Sequence, residues 1–331
     1  MKRKIIIFLS ITASLLVVYC AGIYVINNVF HAYHGKITLK VVDNDGHVVT
    51  NANVAVYFAN QLFRNREYYN GVTDEKGCFS AKGMSQGDIL YQITKKGYYK
   101  TENSYWFTKE GTTERDKLRP WMTKYTPWNP NLEITLREIR NPIPMYYKNV
   151  EIEIPNTNVF LGFDFKKADW VKPYGAGQEA HVNFLYTSHV IDPWTFKKKL
   201  VISGNSFLPG VQGKSLNNYS EFKNLYNAPE TGYTNKLIYT LNRTRTNIIE
   251  NVNLDTTECV HVKYNNKANN VYYGVILPRL QYGSMAKRTL LRFNYVFNPT
   301  ANDRNLEWNG SNLFDNTQWE CHPSQERGRL K

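Results

Sequence analysis

The chain is poor in cysteine, and its spacing excludes one common class of metal site. It has 4 cysteines in 331 residues, Cys20, Cys78, Cys259 and Cys321, and no two of them form a Cys-x-x-Cys pair. Structural zinc sites are built largely from such pairs, so we expect no zinc site. A Cys259–Cys321 disulfide with Cys78 reduced is one possibility that spacing alone does not decide.

Motifs for catalysis and phosphate binding are also missing. Gly83-Met84-Ser85-Gln86-Gly87 has the letters of a nucleophile elbow, but the residues after it are patterned as a strand, whereas the elbow needs a helix. Gly175-Ala176-Gly177 lacks the Gly-Lys-Ser/Thr that follows in a phosphate loop. His181 and His189 would lie ~26 Å apart on a straight strand, too far to share a metal. We therefore expect no catalytic residue, no cofactor and no metal.

Acidic residues do cluster in two turn-like segments, Asp43-Asn44-Asp45-Gly46 and Thr73-Asp74-Glu75-Lys76-Gly77. Short acidic side chains in turns bond to nearby backbone N–H groups, which explains each segment alone. A calcium site shared by the two turns is the alternative, since calcium takes six to eight oxygen ligands.

One long apolar run lies at the N-terminus. Lys2, Arg3 and Lys4 precede residues 5–26, which are 22 residues without a formal charge. A helix of that length reaches ~33 Å, enough to cross a ~30 Å hydrocarbon core. The basic start places the N-terminus in the cytoplasm. We expect a single-pass membrane protein with an extracytoplasmic body. Cleavage as a signal peptide, which would give a secreted protein, and lipidation at Cys20 are the alternatives.

The body is aromatic and basic. The chain has 24 Tyr, 16 Phe and 7 Trp, and 41 Lys and Arg against 28 Asp and Glu, for a net charge of +13. Aromatic residues favour strands and interfaces. A basic body favours an anionic or carbohydrate envelope polymer as partner, and no nucleic acid is expected. Because the basic residues are spread along the chain, a soluble surface with excess lysine is the alternative explanation.

Residues 36–141 are patterned as short strands separated by turns. Ile37, Leu39 and Val41 alternate with polar residues, and the same period-2 pattern returns around Val54 and around Tyr91. No helical period interrupts it. The pattern predicts an antiparallel β-sandwich.

This stretch resembles the carboxypeptidase regulatory-like domain, a transthyretin-like β-sandwich. The resemblance rests on Asp45-Gly46, Asn51-Ala52-Asn53-Val54, Thr73-Asp74-Glu75-Lys76-Gly77-Cys78-Phe79, the glycine turn 83–87, and Ile93 with Lys96-Gly97-Tyr98-Tyr99. It covers residues 36–107 and extends towards residue 140. It implies an accessory or binding module on an exported protein. A related branch of enzymes carries a C-terminal Tyr-Arg-Gly-Ser, which this chain lacks, so no activity is implied.

A second all-β domain is predicted over residues 146–298, after the stiff joint Asn141-Pro142-Ile143-Pro144. About eight strand-like segments in ~150 residues favour a second sandwich or jelly roll. The polar segment 299–331 reads as an extended arm, pinned by Trp308, Phe314 and Trp319.

Two loops are the candidate ligand contacts. Residues 108–130 interrupt the sandwich pattern with aromatic and basic residues, and long loops in compact domains tend to be functional. Residues 169–177 combine aromatic rings with backbone N–H groups that the glycines of the loop leave accessible, and loops often carry binding sites. The candidate ligand-binding residues are Trp121, Tyr125, Trp128, Asp169, Trp170 and Tyr174. Burial of the tryptophans as core or docking residues is the plain alternative.

The resulting hypothesis is a non-enzymatic envelope protein that binds or scaffolds at the cell surface through its sandwich loops. One alternative is a glycan-active enzyme that uses carboxylates among Asp164, Asp169, Glu179 and Asp192. Another is an assembly subunit whose edge strands pair with a neighbouring copy.

Overall fold

The computed structural model describes residues 14–19, 33–58, 67–108, 123–192, 194–205, 210–216, 219–244, 250–252, 257–285 and 288–314. Within these ranges twenty β-strands form four sheets, and residues 14–19 are helical. This part of the chain is mostly β, which confirms the predicted fold class of the body. Two compact units result, Met1–Ile139 with Tyr219–Glu221, and Arg140–Asn218 with Phe222–Lys331.

The expected membrane segment, residues 5–26, lies outside the described residues except for positions 14–19. Among the helical residues that the structure describes, none belongs to a helix with the length and hydropathy needed to cross a bilayer.

The first unit contains seven strands in two sheets. They are β1 (Tyr33–Val42), β2 (Asn53–Phe58), β3 (Glu67–Val72), β4 (Cys78–Ser85), β5 (Asp88–Thr94), β6 (Thr101–Trp106) and β7 (Asn131–Thr135). One sheet has the order β4-β1-β7 and the other β3-β2-β5-β6. All pairs are antiparallel except β1 with β7, which is parallel. The expectation of a wholly antiparallel sandwich is wrong at β7, because the chain reaches β7 from the other sheet and not through a hairpin.

The core of the first unit lies between these two sheets. Inward positions at alternate residues supply it, as the sequence pattern requires: Ile37 and Leu39 from one sheet, and Val56 and Ile93 from the other, are fully buried.

The second unit contains thirteen described strands. They are β8 (Ile143–Glu153), β9 (Phe160–Asp164), β10 (Asp169–Trp170), β11 (Val182–Asp192), β12 (Thr195–Ser203), β13 (Val211–Ser215), β14 (Lys236–Arg243), β15 (Glu250–Val252), β16 (Glu258–Asn265), β17 (Val271–Ile276), β18 (Gln281–Met285), β19 (Arg288–Asn298) and β20 (Trp308–Asn312). One sheet has the order β10-β9-β11-β12-β14-β15. The other has the order β13-β16-β17-β19-β8-β20, with β18 also paired to β19.

The segment expected to be a C-terminal arm, residues 299–331, includes β20. This strand pairs in parallel with β8, and the Trp308 ring stacks on Tyr147 with centroids 4.4 Å apart. Residues 315–331, including Trp319 and Cys321, lie outside the described part of the chain.

The core of the second unit is dense in aromatic rings. Phe163, Phe165, Phe184 and Tyr295 are at most 1% exposed, and their neighbouring rings meet mainly edge-on or tilted. The Tyr295 hydroxyl donates to the Phe165 carbonyl at 2.6 Å, which satisfies the one polar group that this ring brings inside.

Candidate functional site

The structure separates the residues of the first predicted loop. Trp121 lies outside the described residues. Tyr125 is a core residue, 1% exposed and stacked on Phe107 at 5.0 Å, and its hydroxyl donates to the Ser85 carbonyl at 2.8 Å. Trp128 remains accessible at 37% exposure, with the Lys124 ammonium 4.8 Å from its ring centroid. Only Trp128 of the described loop residues therefore offers an open ring.

The second predicted loop is organised around its own backbone. Asp169 Oδ1 accepts a hydrogen bond from Trp170 N and Oδ2 one from Ala176 N, both at 2.7 Å. Trp170 is 2% exposed and its Nε1 donates to the Glu153 carbonyl at 2.8 Å. A ring this deeply buried has no face for stacking on a ligand, so we leave Trp170 out of the binding surface. Tyr174 is 42% exposed.

Asp164 joins the two ends of this loop. It is 3% exposed, and its Oδ1 accepts hydrogen bonds from Lys166 N at 2.8 Å and Lys167 N at 3.3 Å. Its Oδ2 accepts from Gln178 N at 2.9 Å and Glu179 N at 3.2 Å. A carboxylate that accepts four backbone N–H bonds is committed to holding the chain. This use differs from the glycosidase role considered for Asp164 in the sequence.

His181 lies directly behind Asp164. Its ring is fully buried against Phe165 and Phe297, and Nδ1 accepts a hydrogen bond from Phe165 N at 3.2 Å, which puts the ring proton on Nε2. Burial lowers the pKa of His181, although the nearby Asp164 carboxylate opposes the shift. The ring is therefore neutral and structural at physiological pH.

The acidic turns are explained by their own hydrogen bonds. Asp43 Oδ1 accepts from Asp45 N and His47 N, and Asp74 Oδ1 accepts from Lys76 N, all within 3.0 Å. Ligand atoms of Asp43, Asp45 and His47 do lie within 4.8 Å of one another. Because the Asx-turn bonds account for these positions, we assign no metal to them.

The accessible aromatic surface lies instead on the outer face of the four-stranded sheet. Tyr57 on β2 stands opposite Tyr68 on β3 and opposite Leu90 on β5. On β6 the residue opposite Leu90 is Ser104, and Trp106, two residues further along and opposite Asp88, points to the same side. We call these four residues the aromatic stripe. Tyr68, Leu90 and Trp106 are 52%, 50% and 67% exposed, and Tyr57 is half-buried.

The geometry of the stripe is set by strand register. The Tyr57 and Tyr68 rings pack edge-to-face with centroids 4.5 Å apart. Neighbouring strands lie ~4.8 Å apart, so a path from β3 to β6 spans ~14 Å across the sheet. The stripe is thus an open surface on a rigid sheet and not part of a loop.

A polar row runs beside the stripe. Asn70 on β3, Gln92 on β5 and Glu102 on β6 occupy the next outward positions of their strands, and the apolar Ala55 stands between them on β2 in the same register. Amide and carboxylate groups there supply donors and acceptors next to the aromatic rings. This arrangement suits a ligand that has both apolar faces and hydroxyl groups.

The sequence contains a signal for the stripe that the inward pattern hides. In β2 and β5 both parities are apolar at Val56-Tyr57-Phe58 and at Ile89-Leu90-Tyr91. A strand with one solvent-exposed face alternates apolar and polar residues. Apolar residues at the outward-facing positions therefore indicate a binding surface.

Comparisons with known proteins add little. No protein-family model and no curated protein matches the chain. Among solved structures, 3-chlorocatechol 1,2-dioxygenase of Rhodococcus opacus 1CP is similar at 12% identity with a TM-score of 0.24, over 32% of this chain and 61% of that chain. The catechol 1,2 dioxygenase of Acinetobacter radioresistens is similar at 15% identity with a TM-score of 0.23, over 33% of this chain and 53% of that chain. A streptococcal ancillary pilin is similar at 7% identity with a TM-score of 0.20, over 78% of this chain and 58% of that chain. This chain spans less than two thirds of each, and TM-scores of this size support no inference about its function.

Proposed function

We propose that this chain is a non-enzymatic cell-envelope protein whose first unit binds a carbohydrate polymer through the aromatic stripe. The observation that carries the proposal is the outward placement of Tyr57, Tyr68, Leu90 and Trp106 across all four strands of one sheet. Large apolar side chains that adjoin one another on a surface usually mark a binding site.

The chemistry of the stripe fits a sugar chain. The apolar face of a sugar ring stacks on aromatic rings, while its hydroxyls hydrogen-bond to groups beside them. The polar row with Asn70, Gln92 and Glu102 lies in position for those bonds. Trp128, with the Lys124 and Lys82 ammonium groups 4.8 and 6.0 Å from its ring centroid, is a second basic and aromatic contact that suits an acidic polymer.

The proposal includes the identity and the location of the body. The first unit would be a carboxypeptidase regulatory-like domain of transthyretin type, and the second a jelly-roll-like domain. Residues 5–26 would anchor the chain with its body outside the cytoplasm, or be cleaved to release it. The two-sheet arrangement of seven strands supports the assignment of the first unit. The apolar sequence of residues 5–26 supports the membrane anchor or cleaved signal.

The enzymatic alternative has less support. Asp164 and Asp169 use both carboxylate oxygens to hold backbone N–H groups, and Asp192 Oδ1 accepts from Trp194 N at 2.7 Å. Glycoside hydrolysis needs one carboxylic acid and one carboxylate that face the scissile bond. The carboxylates considered for that role are thus largely engaged in shaping loops.

A variant series on a polysaccharide panel tests the proposal. The polysaccharide of the panel that the parent chain binds most tightly is used for the comparison. We expect Trp106→Ala combined with Tyr68→Ala to weaken binding to it at least about tenfold, because two stacking faces worth roughly 1 kcal/mol each are lost. The affinity is measured by isothermal titration with the full chain. Trp194→Ala is the matched control, since Trp194 is 56% exposed and belongs to the second unit; it should bind as the parent does.

Two results would overturn the stripe as the binding surface. One is parental affinity in the double variant. The other is a loss of polysaccharide affinity in Trp128→Ala, a variant in which the stripe is intact. That result would place the binding site on the predicted loop, residues 108–130. Release of shortened saccharide from the panel would support the enzymatic alternative instead.

A further inference from the structure

The hairpin of β11 and β12 in the second unit continues past the hydrophobic core. Along β11, buried and half-buried residues alternate up to Tyr186, and residues 188–191 are all exposed. On β12 the last buried residue towards the turn is Leu200. At ~3.3 Å per residue, the strand extends ~17 Å from Tyr186 to Ile191. The end of the hairpin therefore stands in solvent.

This end is apolar, against the usual rule for exposed turns. Val190, Ile191 and Trp194, which we call the hairpin tip, are 56%, 70% and 56% exposed. Ile191 is the most exposed of the large apolar side chains in the described residues. Trp194 N donates to Asp192 Oδ1 at 2.7 Å, so the turn that presents the tip is held by a hydrogen bond.

Cations lie directly behind the tip. Lys197, Lys198 and Lys199 follow it on β12, and Arg243 on β14 stands opposite Phe196. Successive residues of β12 point to opposite faces, so positive charge flanks the hairpin on both sides. The Arg243 guanidinium lies 4.5 Å from the Trp194 ring centroid.

We propose that the hairpin tip inserts into the interface of an anionic lipid bilayer. Trp is enriched at the headgroup level of membranes, and Ile and Val favour the acyl region just below it. Lysine and arginine side chains behind an apolar end reach anionic headgroups while their aliphatic stems stay in the apolar layer. Each such cation strengthens binding about fivefold at an anionic surface.

A protein partner fits the tip less well. A stable protein interface buries ~800 Å² on each side and has a broad, well-packed centre. Three side chains at the end of a projecting hairpin offer a small convex surface, which a fluid interface accepts more readily than a folded one. The proposal is independent of residues 5–26 and of the aromatic stripe.

Vesicle flotation of the full chain tests this insertion. The chain is held in phosphatidylcholine nanodiscs, so that residues 1–32 are treated alike in every variant, and is mixed with phosphatidylglycerol-containing or pure phosphatidylcholine vesicles. We expect Ile191→Ser with Trp194→Ser to lower the partition coefficient onto anionic vesicles at least about tenfold. Lys197→Gln with Arg243→Gln should lower it roughly tenfold or more on anionic vesicles and little on neutral ones.

Matched controls separate the tip from the rest of the surface. Leu90→Ser removes a side chain of comparable exposure from the aromatic stripe, and Lys267→Gln removes an exposed cation elsewhere in the second unit. Both should partition as the parent does. Trp194→Phe should retain most of the binding but lose the part of the fluorescence that brominated lipids quench in the parent.

Parental partition of the tip variants, or equal losses in the Leu90→Ser control, would overturn the proposal. So would a dimer of the parent chain, detected by sedimentation velocity, that the tip variants dissociate while vesicle binding is unchanged. That result would make a second copy of the chain the partner of the tip.

Discussion

Replacing Asp164 by alanine is expected to destabilise the second unit by about 3–5 kcal/mol, enough to unfold a marginal domain. Asp164 is 3% exposed and accepts four backbone hydrogen bonds, from residues 166, 167, 178 and 179. The variant removes the side-chain acceptor of all four N–H groups, of which Lys167 N also donates to the Asp164 carbonyl. It also removes the buried carboxylate that bonds to both ends of the loop. Bonds to a charged acceptor contribute about 1.5–3 kcal/mol each and are not additive, so we expect less than their sum.

The measurement is urea unfolding of the full chain, followed by near-ultraviolet circular dichroism. Asp164→Asn is the graded variant, because its carbonyl oxygen keeps one acceptor but loses the charge, and it should fall between the parent and alanine. Asp169→Ala, which removes two backbone bonds, should cost less than Asp164→Ala. If Asp164→Ala unfolds at the parental urea midpoint, the four hydrogen bonds that this carboxylate accepts contribute little to the stability of the second unit.

Acid sensitivity is the second large expected effect, and it centres on His261. This ring on β16 is fully buried, and neither of its nitrogens has a hydrogen-bond partner of good geometry in the described part of the chain. Burial lowers the pKa of His261 to about 4, partly offset by an interaction with the Gln212 backbone. The pKa of an unfolded histidine is about 6.5, so between these values the unfolded state binds more protons.

The stability that follows from this shift is fully present above pH 6.5 and is lost as the pH falls towards 4. Its full size is roughly 3 kcal/mol, because the pKa of His261 is about 4 in the folded protein and about 6.5 in the unfolded chain. His181, whose pKa burial also lowers, adds to the loss in the same direction and in the same unit. The free energy of unfolding should therefore fall steeply with acidification.

His261→Leu separates this effect from general acid denaturation. Since the imidazole nitrogens lack good partners, we expect an apolar side chain of similar size to change the stability at pH 7 by less than about 1 kcal/mol. At pH 5 the variant should exceed the parent by roughly 2 kcal/mol, because the proton uptake of the unfolded state is gone. His189→Leu, at an exposed position, is the control and should follow the parent curve. Parallel pH profiles of His261→Leu and the parent would contradict the account.

The strands of this chain were largely predictable, since strand patterning is local. Ile37, Leu39 and Val41 alternate in the sequence and are buried in the structure as that alternation requires. The parallel placement of β7 was not predictable, because direction within a sheet depends on how the chain returns and not on the residues of the strand.

The fates of the loop aromatics were also beyond local pattern. Tyr125 and Trp170 have the same residue types as an exposed stacking site, but both are buried with a hydrogen bond to a backbone carbonyl. Burial of an amphipathic ring depends on whether tertiary structure supplies that acceptor, and sequence does not show this. The aromatic stripe was missed for the opposite reason: Tyr57 and Tyr68 come together only through strand register.

Hydroxyl-radical footprinting of the full chain with a bound envelope polysaccharide tests the central claim most directly, because it reads the contact surface residue by residue. We expect the oxidation of Trp106 and Tyr68 to fall on binding, the oxidation of Trp194 to stay unchanged, and the polysaccharide to be recovered intact. Unprotected Trp106 and Tyr68 in a saturated complex, or a shortened polysaccharide, would contradict it.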